Sequence, residues 1–270
     1  MDDAAPLSPE ELRGFAVVAE ACAEAFLNEP SAQIVDDVAR VARALGDGRL
    51  DGVVADEALR QRYSERFFVP TGPLYVPLSE CSVRGAAEEE GRVRYAPVSG
   101  ARADHVLRCY RAVGFDYRAL AGFGPAVGSL RPDSLAAELA FMAFLARAAA
   151  EAAGEDPAAS ERAAELLRQF AREHANAWLP KAARLLAAGD DDLYARTAAL
   201  AADAVGSIGA YGALRSCGSP MLEGADQQAR GRRPRACFLF AKLHISCRNT
   251  ENTANRAHNP CKSRILILDL

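Results

Sequence analysis

The chain lacks the signatures of common catalysts. It has no Gly-x-Ser-x-Gly elbow, no phosphate-binding loop and no His-Glu-x-x-His pair, so the usual hydrolase, nucleoside-triphosphatase and metalloprotease chemistries have no anchor. Gly122-Phe123-Gly124 has neither a strand before it nor a third glycine at the required spacing, which excludes a dinucleotide fingerprint. No apolar stretch is long enough to cross a bilayer, so no stable membrane insertion is expected. The opening Met1-Asp2-Asp3-Ala4-Ala5 has no basic region followed by an apolar core, and the expected location is the cytoplasm. Seven cysteines, an odd number, argue against a disulfide framework in that compartment. Cys22, Cys81 and Cys109 are expected to be small buried hydrophobes. Residues alternating with a period of two are missing from the body, as is any repeat of fixed length, which excludes a β-sandwich and a solenoid.

What is present favours helix. Half of the 270 residues are hydrophobic while only 7% are aromatic, and alanine, the best helix former, is abundant. The formal charge of −4 hides a division. Residues 217–270 hold nine Lys/Arg against four Asp/Glu, which leaves 23 basic and 32 acidic residues in 1–216, a net of −9. An acidic body excludes nucleic acid as a partner and suits a basic peptide.

Helix punctuation is clear along the body. Ser8-Pro9-Glu10-Glu11 carries a cap, a first-turn proline and a capping-box glutamate. Pro30 stops that helix. Ser31 caps a second, which ends at Gly46. Helices are predicted over about 55–68 and 104–113, with Gly114 closing the latter. Between them, about 69–101 is dense in Pro and Gly and reads as loops and short pieces. A long helix is predicted from Pro132 to Ala153, with Pro132 and Asp133 in its first turn, where the acid suits the helix dipole. Another starts at Asp156-Pro157 and carries Leu166, Leu167, Phe170, His174 and Trp178 on one face. Pro180 predicts a break. Asp190, Asp191 and Asp192 mark the start of a last helix from about Tyr194 to Ala210. The expected fold is an all-α single domain of seven to nine helices over residues 1–215.

Beyond about Arg215 the composition changes. Two of the three Lys, four of the six Asn and four of the seven Cys fall there. Residues 216–270 read as an irregular, disordered tail with the composition of a frameshifted or read-through product. Arg230-Gly231-Arg232-Arg233-Pro234-Arg235 is expected to be a solvated basic run. His244-x-x-Cys247 with Cys237 and Cys261 lacks a Cys-x-x-Cys pair, so no metal site is expected.

Three patches carry a more specific likeness: Tyr75-Val76-Pro77-Leu78-Ser79-Glu80-Cys81; Pro132-Asp133-Ser134-Leu135-Ala136-Ala137-Glu138-Leu139-Ala140-Phe141-Met142; and Phe170-Ala171-Arg172-Glu173-His174-Ala175-Asn176-Ala177-Trp178. Their order and spacing, with Tyr110 and Gly114 before the second, resemble the TorD/DmsD family of cytoplasmic chaperones for molybdenum-containing oxidoreductases. Ser134 stands where that family has His, Ser79 where an aromatic is usual, Cys81 where Ser is usual and Ala175 where Leu is usual. The resemblance implies a TorD-like helical fold and a chaperone, not an enzyme. Its partners would be the catalytic subunit of a molybdopterin oxidoreductase and that subunit's twin-arginine signal peptide. The chaperone would assist cofactor insertion and delay export, as monomer or homodimer, without a cofactor or metal of its own. Glu80 and Asp133 would be carboxylates at the rim of a peptide groove. Tyr75, Leu78, Tyr110, Leu135 and Trp178 would supply or support its apolar walls. His174 and Trp178 have a packing role as their plain alternative, and Glu138 is expected to pair with an Arg inside the bundle. The competing functional reading is a helical regulatory or small-ligand-binding domain without chaperone activity; a hydrolase of unrecognised type is a third.

Overall fold

The computed structural model describes residues 7–89 and 92–216. The fold is all-α. Helices α1 (Pro9–Leu27), α2 (Ala32–Ala44) and α3 (Glu57–Phe67) come first, and the five-residue α4 (Glu80–Arg84) follows. A two-stranded antiparallel hairpin, β1 (Ala87–Glu89) and β2 (Arg92–Arg94), leads to α5 (Ala101–Ala112) and the short α6 (Gly124–Gly128). Then come α7 (Leu135–Ala152), α8 (Pro157–Phe170), α9 (Asn176–Gly189) and α10 (Leu193–Ser216). The hairpin corrects the expectation of a strandless body. Its residues are all exposed, so no apolar alternation exists to reveal it.

The caps explain why most helices start where they do. Ser8 Oγ accepts from Glu11 N at 3.2 Å while Glu11 Oε2 accepts from Ser8 N at 2.8 Å, a complete capping box. Ser31 caps α2, Asp56 caps α3 and Asp156 caps α8, each through its side chain. Gly46 and Gly114 follow α2 and α5 with φ of 77° and 74°, a conformation that favours glycine.

The core is built around α1 packed on α7. Ala16, Ala19 and Ala23 on α1 and Ala136, Ala140, Ala143 and Ala146 on α7 are all buried, so small residues form much of each helix surface. Trp178, Leu179 and Leu186 of α9 and Tyr194, Ala198 and Val205 of α10 complete the same cluster. No helix among the described residues is long and apolar enough to cross a membrane.

Pro180 lies inside α9 rather than at a break. A proline ring crowds the carbonyl four residues back, here that of Asn176. The residues just before it, Ala171–Ala175, form a π turn joining α8 to α9, and this wider turn is where the helical ladder adjusts. The last helix runs to Ser216, six residues past its expected end at about Ala210. The expectations for the tail, including Arg230–Arg235, Cys237, His244, Cys247 and Cys261, lie outside the described residues.

One buried ion pair locks the first half of the chain to the last. Arg66 of α3 is fully buried. Its Nε donates to Asp192 Oδ2 at 2.7 Å, and its Nη atoms donate to the carbonyls of Leu186 and Asp190 at 3.2 and 2.6 Å. The other oxygen of Asp192 accepts from Tyr194 N and Ala195 N and so caps α10. Asp192→Ala removes the cap and strands a buried guanidinium, which typically costs about 3–5 kcal/mol. In urea denaturation it should destabilise by at least about 3 kcal/mol, whereas Asp36→Ala, an exposed partner of Arg40, should stay within about 1 kcal/mol of the parent. Equal effects would show that the Arg66 pair does not lock the fold.

Candidate functional site

Two extended segments cross antiparallel beside the N-terminus of α7. Leu135 N donates to Leu78 O at 3.0 Å and Glu80 N donates to Asp133 O at 2.9 Å, with Ser79 and Ser134 paired between them. Asp133 therefore precedes α7, which starts two residues later than a first-turn position for the acid requires. Its carboxylate serves a different helix: Oδ2 accepts from Cys81 N, 3.0 Å away, in the first turn of α4. Oδ1 lies 3.8 Å from Arg131 Nε. Ser134 does not cap α7 through its side chain. Its Oγ accepts from Arg131 N at 2.9 Å and closes the turn before the helix.

Glu80 is fully buried and ligated on both oxygens. Arg84 Nη1 donates to Oε1 at 2.7 Å, with Arg102 Nε at 3.9 Å, and His174 Nδ1 lies 2.6 Å from Oε2. His174 sits in the π turn, and its Nε2 lies 2.7 Å from His105 Nδ1 of α5. Burial alone would lower the His174 pKa. Contact with Cys109 and the bond to Glu80 more than reverse that, raising it to about 9. Burial would raise the Glu80 pKa, and the His174 and Arg84 bonds bring it below the usual value. His174 is thus an imidazolium at neutral pH, donating to Glu80 from one nitrogen and to His105 from the other.

Among the described residues Glu138 has no arginine partner, contrary to expectation. Trp178 Nε1 donates to its Oε2 at 2.9 Å, and Oε1 has no hydrogen-bond partner among the described residues. Burial first, and the charge of Glu80 second, push its pKa well above the ordinary carboxylate value, which favours the protonated form. Tyr110 is buried too, its hydroxyl donating to Pro132 O at 2.7 Å and its ring 4.6 Å from that of Phe141.

The predicted residues therefore separate into two groups. Tyr75, Leu78 and Leu135 line one apolar groove of about 190 Å³ together with Phe67, Phe68 and Leu130. Tyr75 and Leu78 are half-buried and reachable. Glu80, Asp133, Tyr110 and Trp178 are fully buried and absent from its lining. Both acids lie beneath the groove surface: Glu80 is bonded on both oxygens, whereas Asp133 Oδ1 has no hydrogen-bond partner among the described residues. Arg131 is the charged residue in the lining.

A second, polar cleft of about 590 Å³ opens beside Glu80, which lines it with Arg84, Arg102, His105, Glu173 and His174. His105 and Arg102 were not singled out from the sequence. Cys109 is half-buried rather than a core hydrophobe. The available signal was His105-x-x-x-Cys109, four apart on a predicted helix and so on one face.

Residues 31–184 match the family described as nitrate reductase delta subunit. The matched span starts at the cap of α2, ends inside α9 and contains the whole crossing. No curated protein and no solved structure matches the chain.

The titrations have a definite sign. His174 has a folded pKa of about 9 against 6.5, so its stabilisation is complete below pH 6.5 and is lost as pH rises through 9. Glu138, raised above 4.5, also binds its proton more tightly when folded, which again favours folding less as pH rises. The urea midpoint should therefore fall between pH 6.5 and 9. Glu138→Gln, which stays neutral, should unfold at an equal or higher midpoint than the parent at pH 8. A midpoint constant across this range would contradict the assignment.

Proposed function

We propose that this chain, which belongs to the nitrate reductase delta subunit family, is a cytoplasmic assembly chaperone for a molybdopterin oxidoreductase and receives the twin-arginine signal peptide of that client. It acts by binding rather than by catalysis. By holding the peptide it delays export while the client's cofactor is inserted. Closer kinship with the TorD/DmsD chaperones rests on the three patches around Tyr75–Cys81, Pro132–Met142 and Phe170–Trp178.

The observation that carries this reading is the apolar groove at the crossing. A signal peptide has an apolar stretch, and Tyr75, Leu78 and Leu135 offer apolar side chains on one wall. Glu80, Asp133, Tyr110 and Trp178 act from beneath, fixing the two backbones that bear those side chains. The basic head needs acidic surface outside the lining. Glu29, two residues beyond the groove residue Leu27, is half-buried and acts electrostatically on Tyr63 and Tyr194, so it is the acid assigned to that head. The net charge of −9 on the body adds a longer-range attraction.

Calorimetric titration with the twin-arginine signal peptides encoded in the same genome tests the reading. One of them should bind at least about tenfold more tightly than a scrambled peptide of equal charge, a difference of about 1.4 kcal/mol. Leu78→Asp and Tyr75→Ala should each weaken binding by about tenfold or more without lowering the melting temperature, since burying a leucine side chain is worth about 1.5–3 kcal/mol. Asp133→Ala should instead lower the melting temperature through the loss of its bond to Cys81 N. Equal affinity for native and scrambled peptides would end the chaperone reading.

A further inference from the structure

Two imidazoles in the wall of the polar cleft converge with a thiol behind its lining. His105 and Cys109 rise from one face of α5, and His174 meets them from the π turn. One ligand atom from each lies within 4.8 Å of the other two. Imidazole and thiolate are the donors that borderline-soft cations select, zinc above all. His105 and Cys109 are only half-buried, with Cys109 at the edge of the core.

Two further features suit a cation. Glu80 Oε2 lies 2.6 Å from His174 Nδ1, and a carboxylate on the far nitrogen is the usual device for fixing the tautomer and orientation of a metal-bound imidazole. The rings of His105 and His174 are inclined by only 24°, with 2.7 Å between their facing nitrogens. Both nitrogens thus address one proton, in the place a cation would take. His105 and His174 both line the cleft, the side from which a further ligand would approach.

We propose that His105, Cys109 and His174 form a Zn²⁺ site with its fourth position open to the cleft, and that Glu80 orients His174 from behind. Binding changes no oxidation state. The thiol of Cys109 loses its proton and becomes the thiolate ligand. His174 Nε2 loses the proton it shares with His105, and both protons pass to solvent. The metal accepts lone pairs from Sγ, His174 Nε2 and His105 Nδ1, while the proton on His174 Nδ1 stays on Glu80's side. Tetrahedral geometry at a Zn–N distance of about 2.0–2.1 Å needs the nitrogens about 3.3 Å apart, an opening of about 0.6 Å that a half-exposed His105 accommodates. The site ties α5 to the rod formed by α8, the π turn and α9. It is independent of the peptide groove, so it can stand or fall without the chaperone reading.

The test uses the metal-stripped full-length chain, with Co²⁺ as spectroscopic probe and Zn²⁺ as competitor. One Co²⁺ per chain should bind, with tetrahedral visible bands and a thiolate-to-cobalt band in the near ultraviolet, all bleached by one equivalent of Zn²⁺. Cys109→Ser should abolish the thiolate band, and His105→Ala should weaken binding by more than about tenfold. Glu80→Gln should weaken it about 10–100-fold while the bands keep their shape. Combined Cys217→Ser, Cys237→Ser, Cys247→Ser and Cys261→Ser should change none of this. A thiolate band that survives Cys109→Ser, or one lost with the four downstream cysteines, overturns the proposal. On the unsubstituted chain, Zn²⁺ should slow alkylation of Cys109, located by peptide mass. An unchanged rate overturns it as well.

Discussion

Burying a carboxylate is unfavourable unless donors are brought to it or its charge is removed, and three buried carboxylates govern the centre of this molecule. Each meets the constraint differently. Asp133 takes a backbone N–H from another helix and the charge of Arg131. Glu80 takes an imidazolium and a guanidinium. Glu138 is shifted toward its protonated form and, among the described residues, accepts from Trp178. Once these demands are met, the 75–84 segment, the start of α7, α5 and the π turn have little freedom left. The apolar groove lies on one side of that arrangement and the imidazole–thiol cluster on another.

This arrangement changes the role of the acids. A carboxylate at a groove rim attracts a basic ligand directly. A carboxylate already satisfied inside the fold instead sets where neighbouring side chains point. Asp133 holds the first turn of α4, α4 presents Glu80, Glu80 orients His174, and His174 meets His105. Charge recognition of any basic partner is left to surface acids and to the overall negative charge of the body.

Local structure was legible in the sequence because its causes are local. Ser8, Ser31, Asp156 and Asp192 each cap a helix within three residues of themselves, and Gly46 and Gly114 each follow one. What the sequence concealed depends on distance. Asp133 reads as a helix-dipole acid for the nearest helix, yet it caps one 52 residues away. Nothing near Arg66 in the sequence marks it for burial, which is made tolerable by the approach of Asp192, 126 residues on. His105 lies 69 residues from His174, so their pairing has no signature along the chain. Pro180 misled for another reason: the ladder adjusted one turn earlier. Tyr75, Leu78 and Leu135 line one groove because the backbone crossing brings their two segments side by side.

The pairing of α1 with α7 has a consequence for how the chain is made. The buried face of α1 is complete when Leu27 is synthesised, but its partner does not begin until Leu135. At about 5–20 residues per second, the ribosome holds that uncovered face for roughly 5–20 s. Over that interval the newborn protein carries the same hazard as an unfinished oxidoreductase, a long apolar surface waiting for a part that has not yet arrived.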